Sequence, residues 1–208
     1  MSSINILNHN LLTHKLTLLR DKNTCVKDFR NLIYEISTLI AYEATKTLPV
    51  KDKTVTTPIC ETVGKELCKQ PILVPILRAG LGMVEPFLGI IPGAKVGHVG
   101  LARNHDTHLP EEYYCNLPED IAEREVLILD PMLATGGSGS AAIEFIKNRG
   151  AKNIRFVCII AAPEGLEVIK RDHPDVDVYV GVMDERLNAN AYIVPGLGDA
   201  GDRLFGTL

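Results

Sequence analysis

The feature that most constrains the fold is the alternation of short apolar runs with segments of helical periodicity. Apolar runs of strand length occupy residues 71–77, 94–102, 125–130, 153–162 and 175–182. Helix-like segments separate several of these runs, notably at 138–149 and 164–172. Continuously apolar strands that alternate with helices are buried on both faces, as in a parallel sheet between helical layers. The sequence therefore predicts an α/β fold with a mostly parallel sheet flanked by helices.

Two further segments precede this alternating region. Residues 24–46 carry apolar side chains at helical spacing, and Thr24 or Asn23 is a candidate cap for that helix. Residues 51–63 alternate apolar and polar side chains, which predicts a short β arm. With 208 residues, 46% of them hydrophobic, the chain is long enough for one sizeable core, so we expect residues 1–208 to form a single domain.

Composition argues against several classes of protein. A net charge of −4 does not favour broad nucleic-acid binding, which usually requires a basic face. No apolar run reaches the roughly 18 residues needed to span a membrane, and the N-terminus lacks the pattern of a secretory signal. The five cysteines are an odd, scattered set, which is typical of reduced thiols in a cytoplasmic protein.

The run "VLILDPMLATGGSGSAA", residues 126–142, ends a predicted strand on a carboxylate and continues into glycine and hydroxyl residues. Ligands of open α/β sheets bind beyond the carboxyl ends of the strands, so Asp130 should face a ligand. Thr135 to Ser138 lead into a helix whose unpaired N–H groups suit a phosphate, and Gly136 and Gly137 let the backbone approach closely. A plain turn with a helix cap is the alternative interpretation.

Two other kinds of phosphate loop were compared with this segment. A P-loop requires a lysine after its last glycine, and none is present. Gly137, Gly139 and Ala142 do match the dinucleotide pattern G-x-G-x-x-A, with Glu164 about 20 residues further on. However, the first glycine of that pattern follows its strand at once, whereas here residues 131–135 intervene. A ribose 5-phosphate group fits better, and a dinucleotide-dependent oxidoreductase is kept as an alternative.

The loop "DPMLATGGS" resembles the ribose-phosphate loop of type I phosphoribosyltransferases, in the form found in the uracil phosphoribosyltransferase family. The resemblance covers nearly the whole chain in order, through "HKLTLLRD", "LIAYEAT", "VPILRAGLGM", "AAPEG", "HPDV" and "YIVPGLGDAGDRLFGT". Most type I relatives carry two adjacent acids in the loop, whereas the uracil enzymes have proline second, as in Asp130-Pro131 here.

This resemblance implies a type I phosphoribosyltransferase fold and a reaction between uracil and 5-phosphoribosyl-1-diphosphate (PRPP). The products would be UMP and diphosphate, with Mg²⁺ held mainly by the diphosphate and water rather than by a dedicated protein site. The residues implied to bind PRPP are Arg78, Arg103, Asp130, Pro131, Met132, Leu133, Ala134, Thr135, Gly136, Gly137, Ser138 and Asp199.

The resemblance also places the base in the glycine-rich segment 192–202. The residues implied to surround uracil are Ile193, Gly198, Asp199 and Ala200. Asp199 and Arg103 are the predicted catalytic residues. Asp199 is the candidate for handling the N1 proton, with positioning of PRPP or its metal as the alternative. We further expect the polar segment 103–115 to cover the diphosphate; its His105, His108 and Cys115 are too irregularly spaced to indicate a zinc site.

The resemblance also bears on partners. It implies small-molecule substrates and a homodimer or larger homo-oligomer, and it leaves a response to GTP open. Some phosphoribosyltransferase relatives bind RNA and regulate genes, so a regulatory RNA-binding protein is the second alternative. A basic face would favour that role, and this acidic chain has no concentrated run of lysine and arginine.

Overall fold

A computed structural model describes residues 3–103 and 110–207 of the chain. The α-helices are α1 (Asn10–Arg20), α2 (Val26–Ala44), α3 (Val84–Ile90), α4 (Gly137–Asn148), α5 (Pro163–Asp172) and α6 (Ala200–Phe205). Short 3₁₀ helices occupy Ala79–Met83 and Ile121–Glu123.

The strands follow the predicted apolar runs and add several short ones. In chain order they are β1 (Ile4–Ile6), β2 (Val50–Thr56), β3 (Glu61–Leu67), β4 (Ile72–Leu77), β5 (Lys95–Val96), β6 (His98–Arg103), β7 (Pro110–Asn116), β8 (Glu125–Leu129), β9 (Met132–Leu133), β10 (Asn153–Ala161), β11 (Asp177–Met183), β12 (Arg186–Leu187) and β13 (Ile193–Val194). The single apolar run 94–102 is divided between β5 and β6 at Gly97.

The central sheet has the order β1-β11-β10-β8-β4-β6-β7, with β5 beside β4 and β9 beside β10. Its pairings are parallel except for the antiparallel pair β6–β7. The crossovers from β8 through α4 to β10, and from β10 through α5 to β11, bring the carboxyl ends of these strands to the same edge. The predicted mostly parallel α/β sheet is therefore confirmed.

Successive residues of the central strands alternate between two apolar layers. In β8, for example, Leu127 and Leu129 pack in the layer that includes α1, α2, α3 and α6. Val126 and Ile128 pack in the opposite layer, with α4 and α5. Because both faces are covered, each of these four residues is fully buried, which explains why the run is apolar at every position.

The segments before the sheet match their predictions in type, with one local difference. The β arm is an antiparallel hairpin of β2 and β3, and every residue of β2 is exposed. Helix α2 is present, but neither predicted cap is correct, because Cys25 occupies the N-cap position. The Thr24 hydroxyl instead donates to the carbonyl of Leu18 at 2.6 Å, which ties it to the end of α1.

No helix within the described residues is both long and apolar enough to cross a lipid bilayer.

Candidate active site

The predicted phosphate loop joins β8 to α4. After Asp130, the chain pairs briefly with β10 through β9, and Pro131 and Leu133 are buried. Gly136 then adopts a left-handed conformation (φ +83°) at the N-cap of α4. A Cβ atom there would lie 2.7 Å from Val168 Cβ and 3.0 Å from the Gly165 carbonyl oxygen. Gly136 is therefore required both by its backbone conformation and by the close packing of α4 against α5.

The start of α4 presents backbone donors to the site. The first hydrogen bond of the helix runs from Ser140 N–H to the Gly136 carbonyl at 2.8 Å. The N–H groups of residues 137–139 precede that bond, and Gly137 N–H makes a long contact of 3.4 Å with Thr135 Oγ1. No acidic side chain lies in this first turn. The helix end therefore has the free donors and the positive end of the dipole that suit a phosphate.

Asp130 extends from the end of β8 toward the loop. Its Oδ1 accepts a weak hydrogen bond of 3.4 Å from Met132 N–H. Burial raises the pKa of Asp130 to about 7, the Met132 hydrogen bond opposes this rise, and the nearby charge of Asp199 adds to it. A hydroxyl-bearing ligand can supply the hydrogen bonds that this carboxylate lacks.

Arg78 follows β4 at the same edge of the sheet, and the Leu77–Arg78 peptide is cis. Its side chain is 58% exposed and lies 3.4 Å from Asp202 Oδ1, measured from Nη2. Its guanidinium carbon is 5.8 Å from the centre of the Phe205 ring. The charge is thus held loosely at the mouth of the site and is free to meet an anion.

The predicted base segment reaches this edge from the C-terminal side. Ile193 is buried on β13, and Gly198 is exposed with φ +81°. Asp199 is the N-cap of α6, where its Oδ1 accepts the Asp202 N–H at 2.8 Å. Ala200 is buried as the first residue of α6. Asp199 therefore has a structural role as a helix cap, which the sequence analysis did not foresee.

A cavity of about 260 Å³ connects the loops at this sheet edge. Its walls are Arg78, Ala79, Asp130, Met132, Asp199, Ala200 and Gly201. Residues predicted to bind PRPP and residues predicted to bind uracil thus share one cavity. Thr135 to Ser138, Ile193 and Gly198 are not part of its walls.

A larger cavity, of about 790 Å³, lies between the β1 region and α2 and is lined by residues such as Asn5, Leu39 and Tyr179. None of the described residues predicted to bind either substrate lines it.

Arg103 is the last residue of β6, and its backbone pairs with Pro110. Its side chain and residues 104–109, which include His105 and His108, lie outside the described part of the chain. Of the predicted cover over the diphosphate, residues 103–115, positions 104–109 lie outside the described part, whereas residues 110–115 belong to β7 of the central sheet.

The geometry argues against the dinucleotide alternative. Gly137 and Gly139 lie within α4 rather than in a turn directly after a strand. A Cβ added at Gly139 would lie only 3.1 Å from the Phe156 ring, so this glycine is explained by the packing of α4 on β10. Glu164 does not face a ribose site, because its Oε1 accepts the Leu187 N–H at 3.0 Å. The match to G-x-G-x-x-A is therefore a product of helix packing.

Comparison with known proteins decides between these possibilities. The family model described as uracil phosphoribosyltransferase matches residues 6–207. The chain belongs to the uracil phosphoribosyltransferase family. Curated uracil phosphoribosyltransferases of Clostridium perfringens and Clostridium tetani are 57% and 58% identical to it, over 100% of each chain. The predicted family and enzyme class are thus confirmed.

Solved structures agree with this family assignment. A protein from Aquifex aeolicus is 41% identical, with a TM-score of 0.91 over 97% of both chains. A hypoxanthine-guanine phosphoribosyltransferase from Bacillus anthracis, only 10% identical, has a TM-score of 0.54 over 76% of this chain and 80% of its own. The second likeness bears on the fold alone, and it confirms the predicted type I phosphoribosyltransferase architecture.

Three residues that support the base segment were not predicted from the sequence. Arg20, Asp184 and Arg203 all contact the loop before Gly198. Asp184 directly follows β11, so the strand-end rule that identified Asp130 could also have found it. Arg20 carries no comparable local signal, because it contacts the loop from α1, 176 positions away. Arg203 lies on α6, six positions after Leu197, but nothing in its sequence context indicates that contact.

Proposed function

We propose that the cavity at the sheet edge transfers the 5-phosphoribosyl group of PRPP to N1 of uracil, giving UMP and diphosphate. The observation that carries this proposal is that Arg78, Asp130 and Asp199, far apart in the chain, line one cavity. The α4 N-terminus and the base segment flank that cavity. A ribose phosphate and a base can therefore be bound side by side.

The first part of the proposal concerns PRPP. The 5-phosphate would accept hydrogen bonds from the N–H groups at the start of α4, and the ribose hydroxyls would donate to Asp130. Arg78 would face the departing diphosphate, since a guanidinium forms paired, charge-assisted hydrogen bonds with phosphate oxygens. Arg103 would assist it from β6. Departure of diphosphate leaves a cation-like ribosyl carbon, so positioning and charge stabilisation should supply most of the rate enhancement.

The second part concerns the base. Among the hydrogen bonds between described residues, none uses the N–H or carbonyl of Gly198, which is exposed and directly precedes Asp199 in the cavity wall. Uracil offers two carbonyl acceptors and one N3–H donor, which such backbone groups can complement. Asp199 Oδ1 is occupied by the cap of α6, which leaves Oδ2 to accept the proton that N1 of uracil loses.

Mg²⁺ fits this site as a companion of PRPP rather than as a resident ion. Within residues 3–103 and 110–207, no group of three or more His, Cys, Asp or Glu side chains is placed to hold a metal. Two carboxylates, Asp130 and Asp199, line the cavity, and Mg²⁺ commonly combines one or two carboxylates with phosphate oxygens and water. When bound, the ion would neutralise charge on the diphosphate.

The test is to incubate the protein with labelled uracil, PRPP and Mg²⁺ and to separate the products. We expect labelled UMP and diphosphate in equal amounts, and no UMP when PRPP is omitted. Folded protein that forms no UMP would overturn the proposal. Binding of RNA without turnover would then favour the regulatory alternative.

We also propose a homodimer or larger homo-oligomer in the cytoplasm. The β2–β3 arm projects with exposed apolar side chains, including Val55, Val63 and Ile59, which is 91% exposed at the tip. Surfaces of this kind are commonly covered by another chain. Sedimentation at a mass near 22.8 kDa at micromolar concentration would contradict the oligomer.

The five cysteines are free, as expected in a reducing compartment.

A further inference from the structure

The base segment contains a half that is anchored in the protein and a half that is exposed, of which Asp199 lines the cavity. Gly196 and Leu197 are buried, whereas Gly198 and Asp199 are exposed. The anchored half is held by three side chains that do not line the cavity between Arg78 and Ala200. They are Arg20, Asp184 and Arg203, which we call the loop clamp.

The first half of the loop clamp is a paired contact on Gly196. Arg20 Nη1 and Nη2 lie 2.8 and 2.5 Å from the two carboxylate oxygens of Asp184. Arg20 Nη1 also donates to the Gly196 carbonyl at 2.8 Å, and Asp184 Oδ2 accepts the Gly196 N–H at 2.9 Å. Both polar groups of one peptide residue are therefore bound by one ion pair. Only 4% of the Asp184 side chain is exposed, so its bond to Gly196 N–H is shielded from water, whereas the bonds of Arg20 are partly buried.

The second half of the loop clamp acts on Leu197. Arg203 Nη1 donates to the Leu197 carbonyl at 2.8 Å, and its Nη2 donates to the Asp21 carbonyl at 2.6 Å. Its guanidinium carbon lies 4.4 Å from the centre of the Phe29 ring. The Phe29 ring and the Asp21 carbonyl fix the position of the Arg203 guanidinium. Its hydrogen bond to the Leu197 carbonyl therefore fixes the position of that carbonyl.

Gly196 itself admits no side chain. Its φ is +62°, and an added Cβ would lie 2.1 Å from the Ile193 carbonyl oxygen. The chain therefore makes a tight, left-handed turn between two clamped peptide groups, directly before the free backbone of Gly198.

We propose that Arg20, Asp184 and Arg203 are positioning residues that set the affinity and choice of the base. They act by holding Gly196 and Leu197 so that the backbone of Gly198 to Ala200 meets the edge of uracil. This inference rests on the proposed function. Among the described residues, no hydrogen bond joins residues 130–138 to the side chains of the loop clamp, so PRPP binding should depend on the clamp little.

The test is steady-state kinetics of Arg20→Met and Arg20→Lys with both substrates varied. We expect KM for uracil to rise at least about tenfold in Arg20→Met, with KM for PRPP changing less than about twofold. KM for uracil in Arg20→Lys should lie between the values for Arg20→Met and the wild type, because an ammonium keeps the charge but not the paired N–H donors of a guanidinium. The ratio of kcat/KM for uracil to that for cytosine should fall in parallel.

Lys15→Met is the matched control. Lys15 lies on the same helix as Arg20 and forms an ion pair with Glu35 at 2.6 Å, away from the base segment. Lys15→Met should change neither KM for uracil nor KM for PRPP. The control therefore distinguishes a general weakening of α1 from loss of the loop clamp.

Two outcomes would overturn the inference while leaving the proposed function intact. These are wild-type kinetics in Arg20→Met, or KM values for uracil and PRPP that rise equally. If Arg20→Met fails to fold, the same comparison of KM for uracil with KM for PRPP is made in Arg203→Lys and Arg20→Lys. A selective rise of KM for uracil supports the inference, and equal or unchanged KM values overturn it. A wild-type protein that forms no UMP would instead remove the proposed function itself.

Discussion

The phosphate loop and the base segment occupy the same cavity but are constructed in different ways. The phosphate loop is held mainly by backbone: β9 pairs with β10, Gly136 is left-handed, and α4 begins directly after it. The base segment is held by side chains, of which Arg20 reaches across 176 positions to Gly196. Glycines and a strand-end carboxylate mark a backbone-held loop in the sequence, whereas a side-chain contact such as that of Arg20 requires the fold.

The largest expected effect would test the base segment by changing the base rather than the protein. If the backbone of Gly198 meets O4 and N3–H of uracil, cytosine presents like groups at both positions. Two unpaired contacts cost about 2–6 kcal/mol, so kcat/KM should favour uracil by about 30-fold to more than about 10⁴-fold. The measurement is kcat/KM for each base at saturating PRPP and Mg²⁺. A ratio below about ten would mean that this segment does not recognise the base as proposed.

The next effect tests the local construction of the phosphate loop. Gly136→Ala should lower the free energy of unfolding by about 1–3 kcal/mol, because the residue is left-handed and a Cβ would press on Val168. PRPP affinity should fall as the start of α4 shifts. The experiment is denaturant unfolding followed by PRPP calorimetry.

Gly137→Ala is the matched control for that variant. An added Cβ at Gly137 would lie 3.7 Å from Thr135 Oγ1, and the residue is already helical. Its stability should change by less than about 0.5 kcal/mol. Equal stability of the two variants would contradict the geometric requirement at Gly136.

The charge of Asp130 should produce an effect on stability that depends on pH. Burial raises the pKa of Asp130 to about 7, so the folded state binds a proton more tightly than the unfolded chain. The stability from this group is fully present below its unfolded pKa and is lost as pH rises through about 7. Relative to Asp130→Asn, wild-type stability should therefore decline between about pH 4 and 7, by at most about 1.4 kcal/mol per pH unit. Urea unfolding across pH measures this decline, and parallel curves would exclude the raised pKa.

Above about pH 7, where Asp130 is ionised, Asp130→Asn should keep the fold but weaken PRPP binding, because hydrogen bonds to a charged acceptor are about twice as strong as neutral ones. Calorimetric PRPP affinity that is unchanged by the substitution would remove Asp130 from the ribose site.

The smallest expected change in stability concerns Asp199, which lies where both loops meet. Two substitutions separate its role as a helix cap from its proposed role in catalysis. Asp199→Ala removes the N-cap of α6 and should cost about 1 kcal/mol of stability. Asp199→Asn keeps a capping oxygen and should cost only a few tenths of a kcal/mol, yet it removes the group proposed to accept the N1 proton. A large fall in kcat for Asp199→Asn at unchanged stability would support proton handling. A normal kcat in Asp199→Asn would contradict proton handling and leave the N-cap of α6 as the role of Asp199.

The central fold was predictable because burial on both faces leaves a continuous apolar signature in β4, β8 and β10. Short elements such as β9, β12 and β13 were not predictable, since two-residue strands are created by their pairing partners. The cap of α2 was misassigned because Thr24 hydrogen-bonds backward to α1, a tertiary contact that competes with capping.

Prediction of the candidate site divides in the same way. Asp130 and Gly136 are marked by strand-end and helix-start chemistry that lies within ten residues of sequence. Arg20 resembles an ordinary surface arginine until the fold brings it to the carbonyl of Gly196. Its function depends on tertiary distance, which residue spacing does not encode. Arg203 lies only six positions after Leu197, but its sequence context does not show which carbonyl it binds.

The most direct test of this division between the two loops is a crystal structure of the protein with the product UMP. The phosphate should accept hydrogen bonds from the backbone N–H groups of residues 137–139, and the ribose hydroxyls should meet Asp130. The uracil ring should lie against the backbone of Gly198 to Ala200, with Arg20 and Asp184 still bound to Gly196. A phosphate bound away from α4, or a base that lies outside residues 193–200, would contradict it.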